Sequence, residues 1–231
     1  MRYEEYIKHV MDDFTSESII KPDAFPTMEL YADQVAGFFD EQLKIYAGAA
    51  REKSDSVLTE TGIASSVKRG VLPKPIKKKY ARDHVIIMTM LFYMTSVLRT
   101  DEIESVMRPF IDNYDSTFDD KIDFYRLYAA IAPVLERERT LLSREIQGSV
   151  TDVKAAIRGE GLEDDDNTEL LLLLLSLAAR ADAAKYAVQR ILSEYFTRPE
   201  GTRNKHGKPQ SSHKARAKQK TGGKNVDDDE Q

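Results

Sequence analysis

Apolar residues recur along this chain at spacings of three and four, the pattern of amphipathic α-helices. Tyr3, Tyr6, Ile7, Val10, Met11 and Phe14 predict a first helix over residues 2–14. A loop marked by Pro22 and Pro26 follows. Thr27 is then the expected cap of a second helix, with Glu29 in its first turn, running to Gly48 on the stripe Leu30, Val35, Phe38, Leu43 and Tyr46. Residues 47–56 are small and polar and read as a linker or a frayed helix end. Thr59 is placed to cap a short helix in which Ile63 and Val67 share a face, and Gly70 stands where the chain must turn left-handed to leave it. Val71 and Leu72 read as a short strand. Pro73 and Pro75 forbid helix and remove ladder donors, so an edge ribbon or loop is expected, with Lys77, Lys78 and Lys79 at its tip or return arm and Tyr80 anchoring it.

Residues 82–98 are apolar on nearly every side and predict a long, central, buried helix. Thr100, with Asp101 and Glu102 behind it, opens another helix on the stripe Ile103, Val106, Met107 and Phe110. Residues 112–120 form a polar connector. A helical pattern then reaches about Ile146, with Pro133 inside it as a kink or a split. A shorter helix is expected over 150–158, ending in GEG, before the acidic loop EDDDN. The last helix, over 168–196, can be written in heptads: Leu174, Ala181, Val188 and Tyr195, offset from Leu170, Leu177, Ala184 and Ile191. Such a seam suits a homodimer. The solid leucine block 170–175, apolar all round, suits an internal core, which is the favoured reading, and both can hold.

The pattern defines an all-α protein, a helical bundle with at most one small β-hairpin. Four segments follow from it: residues 1–26 (helix and loop), 27–111 (a domain containing the basic hairpin), 112–197 (a C-terminal helical region) and 198–231 (a disordered basic tail without apolar periodicity).

Charge changes the picture locally. Of the 34 basic and 39 acidic residues, nine and five lie in residues 198–231, which leaves 25 basic and 34 acidic in the first 197: −9 there against +4 in the tail. Within that acidic body, residues 68–84 hold seven Lys/Arg and one acid, a basic island. The chain has no cysteine, which removes disulfide and thiolate chemistry and fits a reducing, cytoplasmic setting. The longest apolar run is about ten residues, half of what a membrane span needs, and the N-terminus lacks the apolar core of a secretory signal, so no membrane association is expected.

Residues 30–43 (LYADQVAGFFDEQL) and 58–107 (LTETGIASSVKRGVLPKPIKKKYARDHVIIMTMLFYMTSVLRTDEIESVM) resemble the bacterial domain-of-unknown-function family 1836. The resemblance rests on the LYxDQV start, LPKPxKKKY, the xDH that opens the buried helix and the DEI after a Leu-Arg-Thr turn, all in order. Within it, the run helix–Gly–Val-Leu-Pro–basic–Tyr–helix is similar to the winged-helix DNA-binding segment of MerR-type regulators. In those proteins a basic wing follows Gly-Leu-Leu-Pro, and a hydroxyl cap stands where this chain has Ala81. That similarity implies a DNA contact through a basic wing.

Phosphate oxygens are held by lysine and arginine on a protruding element, because neutralising them releases condensed counterions. Lys74, Lys77, Lys78, Lys79 and Arg82 are the candidate wing residues, with Lys68 and Arg69 at the preceding helix end. Thr61 and Ser65 are the candidate exposed residues of that helix, a sparse set for reading base edges. The expected function is DNA binding in transcription regulation. The alternative is an all-helical interaction module whose wing docks a protein, or a lysine turn that is merely solvated and blocks edge pairing. No catalytic or metal site is expected and no cofactor. The histidines (His9, His84, His206, His213) have no ligand spacing, and no phosphate-binding glycine loop or H-E-x-x-H occurs.

Overall fold

A computed structural model describes residues 3–49, 57–112, 114, 123–162 and 165–196, and among them the regular elements are helices. In chain order these are α1 (Tyr3–Glu17), a 3₁₀ turn (Pro22–Ala24), α2 (Ala32–Gln42), α3 (Lys44–Ala49), α4 (Glu60–Lys68), α5 (Arg82–Thr95), α6 (Thr100–Asp112), α7 (Phe124–Gly159) and α8 (Asp166–Tyr195). The all-α class therefore holds. The expected β-hairpin does not form. Among the described residues there is no strand, only two isolated bridges, Leu30 with Tyr80 and Ile76 with Lys79. Pro73 and Pro75 leave too few donors before Ile76 for a ladder to propagate. Residues 198–231, where the sequence predicts a disordered tail, and most of the expected 112–120 connector lie outside the described residues.

Burial explains the order of elements. In α5, residues 84–89 and Leu91 are all buried, so this helix runs through the middle of the main core. Around it pack Val35 and Phe39 of α2, Ile63 of α4, Ile103 and Met107 of α6, and Phe124, Tyr128 and Ala132 at the start of α7. The buried members of this cluster run from Ile20 to Ala132. A second, smaller cluster joins Val153 and Ile157 of α7 to Leu173 of α8, with Ile7 of α1 against it. Buried Glu169 of α8 accepts from the Tyr3 hydroxyl and lies 3.6 Å from Lys154 Nζ of α7, which also pairs with Glu4 of α1.

Two boundaries depart from the sequence pattern for reasons of tertiary structure. Thr27 sits in a bend before the helix, and Tyr31, in extended backbone, is the N-cap residue of α2. Leu30 is held extended by Tyr80, through Leu30 N–H to Tyr80 O at 2.9 Å and Tyr80 N–H to Leu30 O at 2.8 Å, so α2 cannot start earlier. The pattern also breaks α7 before residue 150, yet α7 is continuous over 36 residues, through Pro133 and past Gly148. Tyr128, Ala132, Ser143, Ile146, Ser149, Val153 and Ile157 keep one buried stripe along its length. Pro133 falls at an exposed position, where the carbonyl it leaves unpaired can meet water. The helix ends at Gly159 with Glu160 as its C-cap, Gly161 then turns left-handed with φ +65°, and Leu162 N–H returns to Ile157 O at 3.1 Å.

A polar network ties the segment before α2 to the core. Tyr128 donates its hydroxyl proton to Ile20 O at 2.7 Å, and Ile20 N–H donates to the Tyr93 hydroxyl at 3.2 Å. No helix of the described residues is long and apolar enough to cross a membrane.

Candidate nucleic-acid interface

The basic island is built from the end of α4 to the start of α5. Thr59 caps α4 by accepting from Gly62 N–H at 3.1 Å. Lys68 and Arg69 lie at the C-terminal end of α4, where cations complement the helix dipole. Gly70 leaves the helix with φ +74°, the left-handed conformation for which glycine has no steric penalty. Val71, Leu72 and Pro73 are then buried, so the chain dives into the core before it surfaces at Lys74. Val71 and Leu72 are seated in the core rather than paired as a strand.

From Lys74 the chain forms a two-residue turn. Ile76 and Lys79 exchange backbone hydrogen bonds, Lys79 N–H to Ile76 O at 2.9 Å and Ile76 N–H to Lys79 O at 3.2 Å. Lys77 and Lys78 occupy its corners with φ 51° and 64°. Positive φ at both corners is the hairpin turn that asparagine and glycine favour, and a side chain there is strained. Both lysines are exposed, and Ile76 beside them is 68% exposed. Lys79 Nζ lies 5.5 Å from the centre of the Tyr31 ring, a cation–π contact that orients this lysine against the start of α2.

Tyr80 is buried, and burial raises its hydroxyl pKa above the ordinary value of 10.0. Behind it His84, 3% exposed, accepts from Ala81 N–H through Nδ1 at 3.2 Å, with Nε2 at 3.4 Å from Lys74 O. A donating Nε2 and an accepting Nδ1 describe the neutral ring. His84 thus supplies the reciprocal half of a capping box, accepting from the N-cap residue's own N–H, and fixes the arm that carries Lys74. Gln34 does the same for α2, accepting from Tyr31 N–H at 2.9 Å.

The nine sequence-derived residues separate into three groups. Lys68, Arg69, Lys74, Lys77 and Lys78 are exposed and Lys79 is half-buried; among the described residues none of the six makes an ion pair. Thr61 and Ser65 are exposed one turn apart on α4, one turn before Lys68, so they share the face that leads to the basic cluster. Arg82 stands apart. Its guanidinium lies 3.7 Å from the centre of the Tyr125 ring and donates to Pro22 O at 3.3 Å, so it bridges α5, α7 and the 3₁₀ turn. Tyr31, Gln34 and His84 support the site and were not singled out for it by residue type. Their signal lay in the order Tyr-x-x-Gln and Ala-x-x-His, a side-chain acceptor three residues after each helix entry.

Residues 20–130 match the model of a family described as Domain of unknown function (DUF1836). The match coincides with the main core, whose buried members run from Ile20 to Ala132, and extends beyond both ends of the 27–111 domain read from the sequence. The chain matches no curated protein and no solved structure.

Proposed function

We propose that the protein binds DNA through the phosphate backbone, using the turn at residues 76–79 and the end of α4 as a basic clamp, and serves in transcription regulation without catalysing a reaction. The observation that carries this reading is the set of six cations without ion pairs, gathered between α4 and α5 on an otherwise acidic body. A local concentration of cations without ion pairs among the described residues makes a positive field that suits an anionic polymer. Lys68 and Arg69 lie at the helix end, Lys74 on the arm and Lys77 to Lys79 at the turn, a spread suited to successive phosphates. Only a basic, Tyr-anchored turn carries over from the MerR-type resemblance, since the β-hairpin of a wing does not form. Thr61 and Ser65 leave little capacity for base reading, so the affinity is expected to be largely independent of sequence. The C-terminal helix α8 is proposed to pair two copies, which would double the number of phosphate contacts.

Binding measured against salt tests the proposal. Replacing Lys77, Lys78 and Lys79 by alanine is expected to weaken binding to all DNA sequences and to flatten the slope of log K against log salt by about 2 to 3. An unchanged affinity and slope rejects it.

A second reading has its own observation. Ile76 at 68% and Met28 at 70% exposure lie in the turn and just ahead of Tyr31, giving the basic surface apolar neighbours that a phosphate backbone does not need. An acidic protein with an apolar anchor would use both. Recovery of a stoichiometric acidic protein at low salt, lost on Ile76→Asp, together with no retardation of DNA at low salt, would favour it.

A further inference from the structure

A cavity of 420 Å³ opens where α1, α7 and α8 approach, distant in sequence from the basic turn. Phe14, Leu135, Leu141 and Leu142 give it apolar walls, and two arginines, Arg139 and Arg180, reach into its lining. Its volume lies in the range of small-molecule sites, which combine apolar walls with a few converging polar groups.

The arginines are unusual in their partners. Arg139 is half-buried, with its guanidinium carbon 4.7 Å from the Phe14 ring centre and 5.5 Å from that of Tyr93. It makes no ion pair among the described residues, and its Nε is buried without a hydrogen-bond partner. Arg180 Nη1 lies 3.2 Å from Glu145 Oε2, yet without hydrogen-bond geometry, and is also buried without a hydrogen-bond partner. A buried guanidinium nitrogen without an acceptor is costly, and a carboxylate is the group whose two oxygens match the guanidinium fork. The cavity's own acids leave Arg139 unmet: Glu145 pairs with Arg180 at an exposed position, Glu138 is exposed, and Arg139 Nε keeps no hydrogen-bond partner.

We infer that this cavity binds a small monoanionic carboxylate with a short alkyl or aryl body. The carboxylate takes the unpaired edge of Arg139, with Arg180 beside it, and the body lies against Phe14, Leu135 and Leu142. Glu138 and Glu145 disfavour a dianion such as phosphate, because each added negative charge meets theirs. The apolar walls disfavour acetate, which has no body to bury. Phe14 belongs to α1 and Arg180 to α8, so an occupant touches three helices at once and stabilises their packing. This inference does not rest on the DNA reading.

Calorimetric titration of the full chain tests it, with octanoate and 4-phenylbutyrate as probes, and octanamide and inorganic phosphate as controls. A ligand of about ten heavy atoms is expected to bind with a dissociation constant on the order of 0.1 to 1 mM, with octanamide and phosphate at least about tenfold weaker. Arg139→Gln should weaken carboxylate binding about tenfold or more while leaving octanamide unchanged. If that variant loses helical circular dichroism, Leu141→Trp, which adds volume at an exposed position of the rim, should block the carboxylates with the fold intact. No saturable binding up to about 10 mM, equal binding of octanoate and octanamide, or full affinity in either folded variant would overturn the inference.

Discussion

Leu30 and Tyr80 hold each other through a reciprocal pair of backbone hydrogen bonds, and each stands two residues before the first residue of a helix. The pair joins the LYxDQV and KKKY segments, fifty residues apart, at one point. From that point α2 and α5 depart, each with its first N–H accepted by a side chain three residues on, Gln34 for Tyr31 and His84 for Ala81. The basic turn is therefore attached to the rigid core within one residue of its own end.

This attachment makes His84 a stability determinant and a positioning residue for Lys74. His84→Ala leaves the Ala81 N–H without its acceptor and opens space beside Tyr80, whose ring lies 5.7 Å from the imidazole. A loss of about 2 to 3 kcal/mol is expected in denaturant unfolding. His84→Gln should recover part of it, because glutamine already performs this task at position 34. Equal loss in both variants would show that the ring, not the cap, matters.

The strained turn separates stability from function. Lys77→Asn with Lys78→Gly supplies the residues that its positive φ angles favour, and should stabilise the protein by about 1 to 2 kcal/mol. The same double variant removes two of the proposed phosphate contacts, so DNA affinity should fall as stability rises. A variant that is both more stable and unimpaired in binding would argue that the lysines are not there for DNA.

Which features could be read from the sequence follows from how local each cause is. Thr59 and Gly70 act within one turn of themselves, and both stand as the sequence predicts. The seat of α5 is legible because residues 84–91 are apolar almost all round. Thr27 was a plausible cap by type, but the start of α2 is decided by Tyr80, far along the chain. The sequence pattern ends one helix near Ile146 and opens another at about 150, while the buried stripe from Ile146 to Val153 carries α7 straight through Gly148. Arg82 stands among the candidate wing cations because it lies near the lysine triplet in sequence, and nothing near it in sequence announces the Tyr125 ring. The exposure of Lys74, Lys77 and Lys78 could be read from residue type, whereas the left-handed backbone beneath the last two could not.

Two tyrosines set an alkaline limit. Burial raises the hydroxyl pKa values of Tyr93 and Tyr128 above their ordinary 10.0, and Tyr128 donates to Ile20 O. The fold therefore favours the neutral form. The stability this represents is complete below pH 10, and is lost as pH rises above 10 because the unfolded chain ionises first. Tyr128→Phe should lose about 1 kcal/mol at neutral pH through the missing hydrogen bond. It should also show a shallower decline in stability above pH 10 than the wild type. Identical slopes would place the alkaline transition elsewhere.

Asp165 sets an acid limit at the entrance to α8. Its carboxylate accepts from the Thr168 hydroxyl at 2.7 Å, from Thr168 N–H at 3.2 Å and from Asn167 N–H at 2.9 Å, and these bonds lower its pKa below 3.8. The stabilisation is present above pH 3.8 and disappears as pH falls through the lowered value. Asp165→Asn keeps a capping oxygen without the charge. The difference in stability between wild type and variant should shrink to nothing in acid, and a difference constant with pH would contradict the assignment.

The last prediction concerns α8, where Leu174, Ile191 and Tyr195 of the heptads are exposed and Leu171 and Leu175 widen the apolar surface beside Leu174. Leu170 and Leu177 are half-buried, whereas Leu171, Leu174 and Leu175 are 58%, 64% and 57% exposed. These three lie within about 100° of one another on the helix and continue into Ala178 one turn later, a strip of small and branched apolar side chains open to water. A second copy presents the same strip, so pairing about a two-fold axis lets each leucine face its equivalents. Leu174→Lys should therefore convert a dimer to a monomer in sedimentation equilibrium, with helical circular dichroism unchanged because residue 174 takes no part in the buried face of α8. DNA affinity should drop in the same variant, since a monomer brings half the lysines. A wild-type chain that sediments as a monomer at high concentration would reject the pairing and leave the basic turn to act alone.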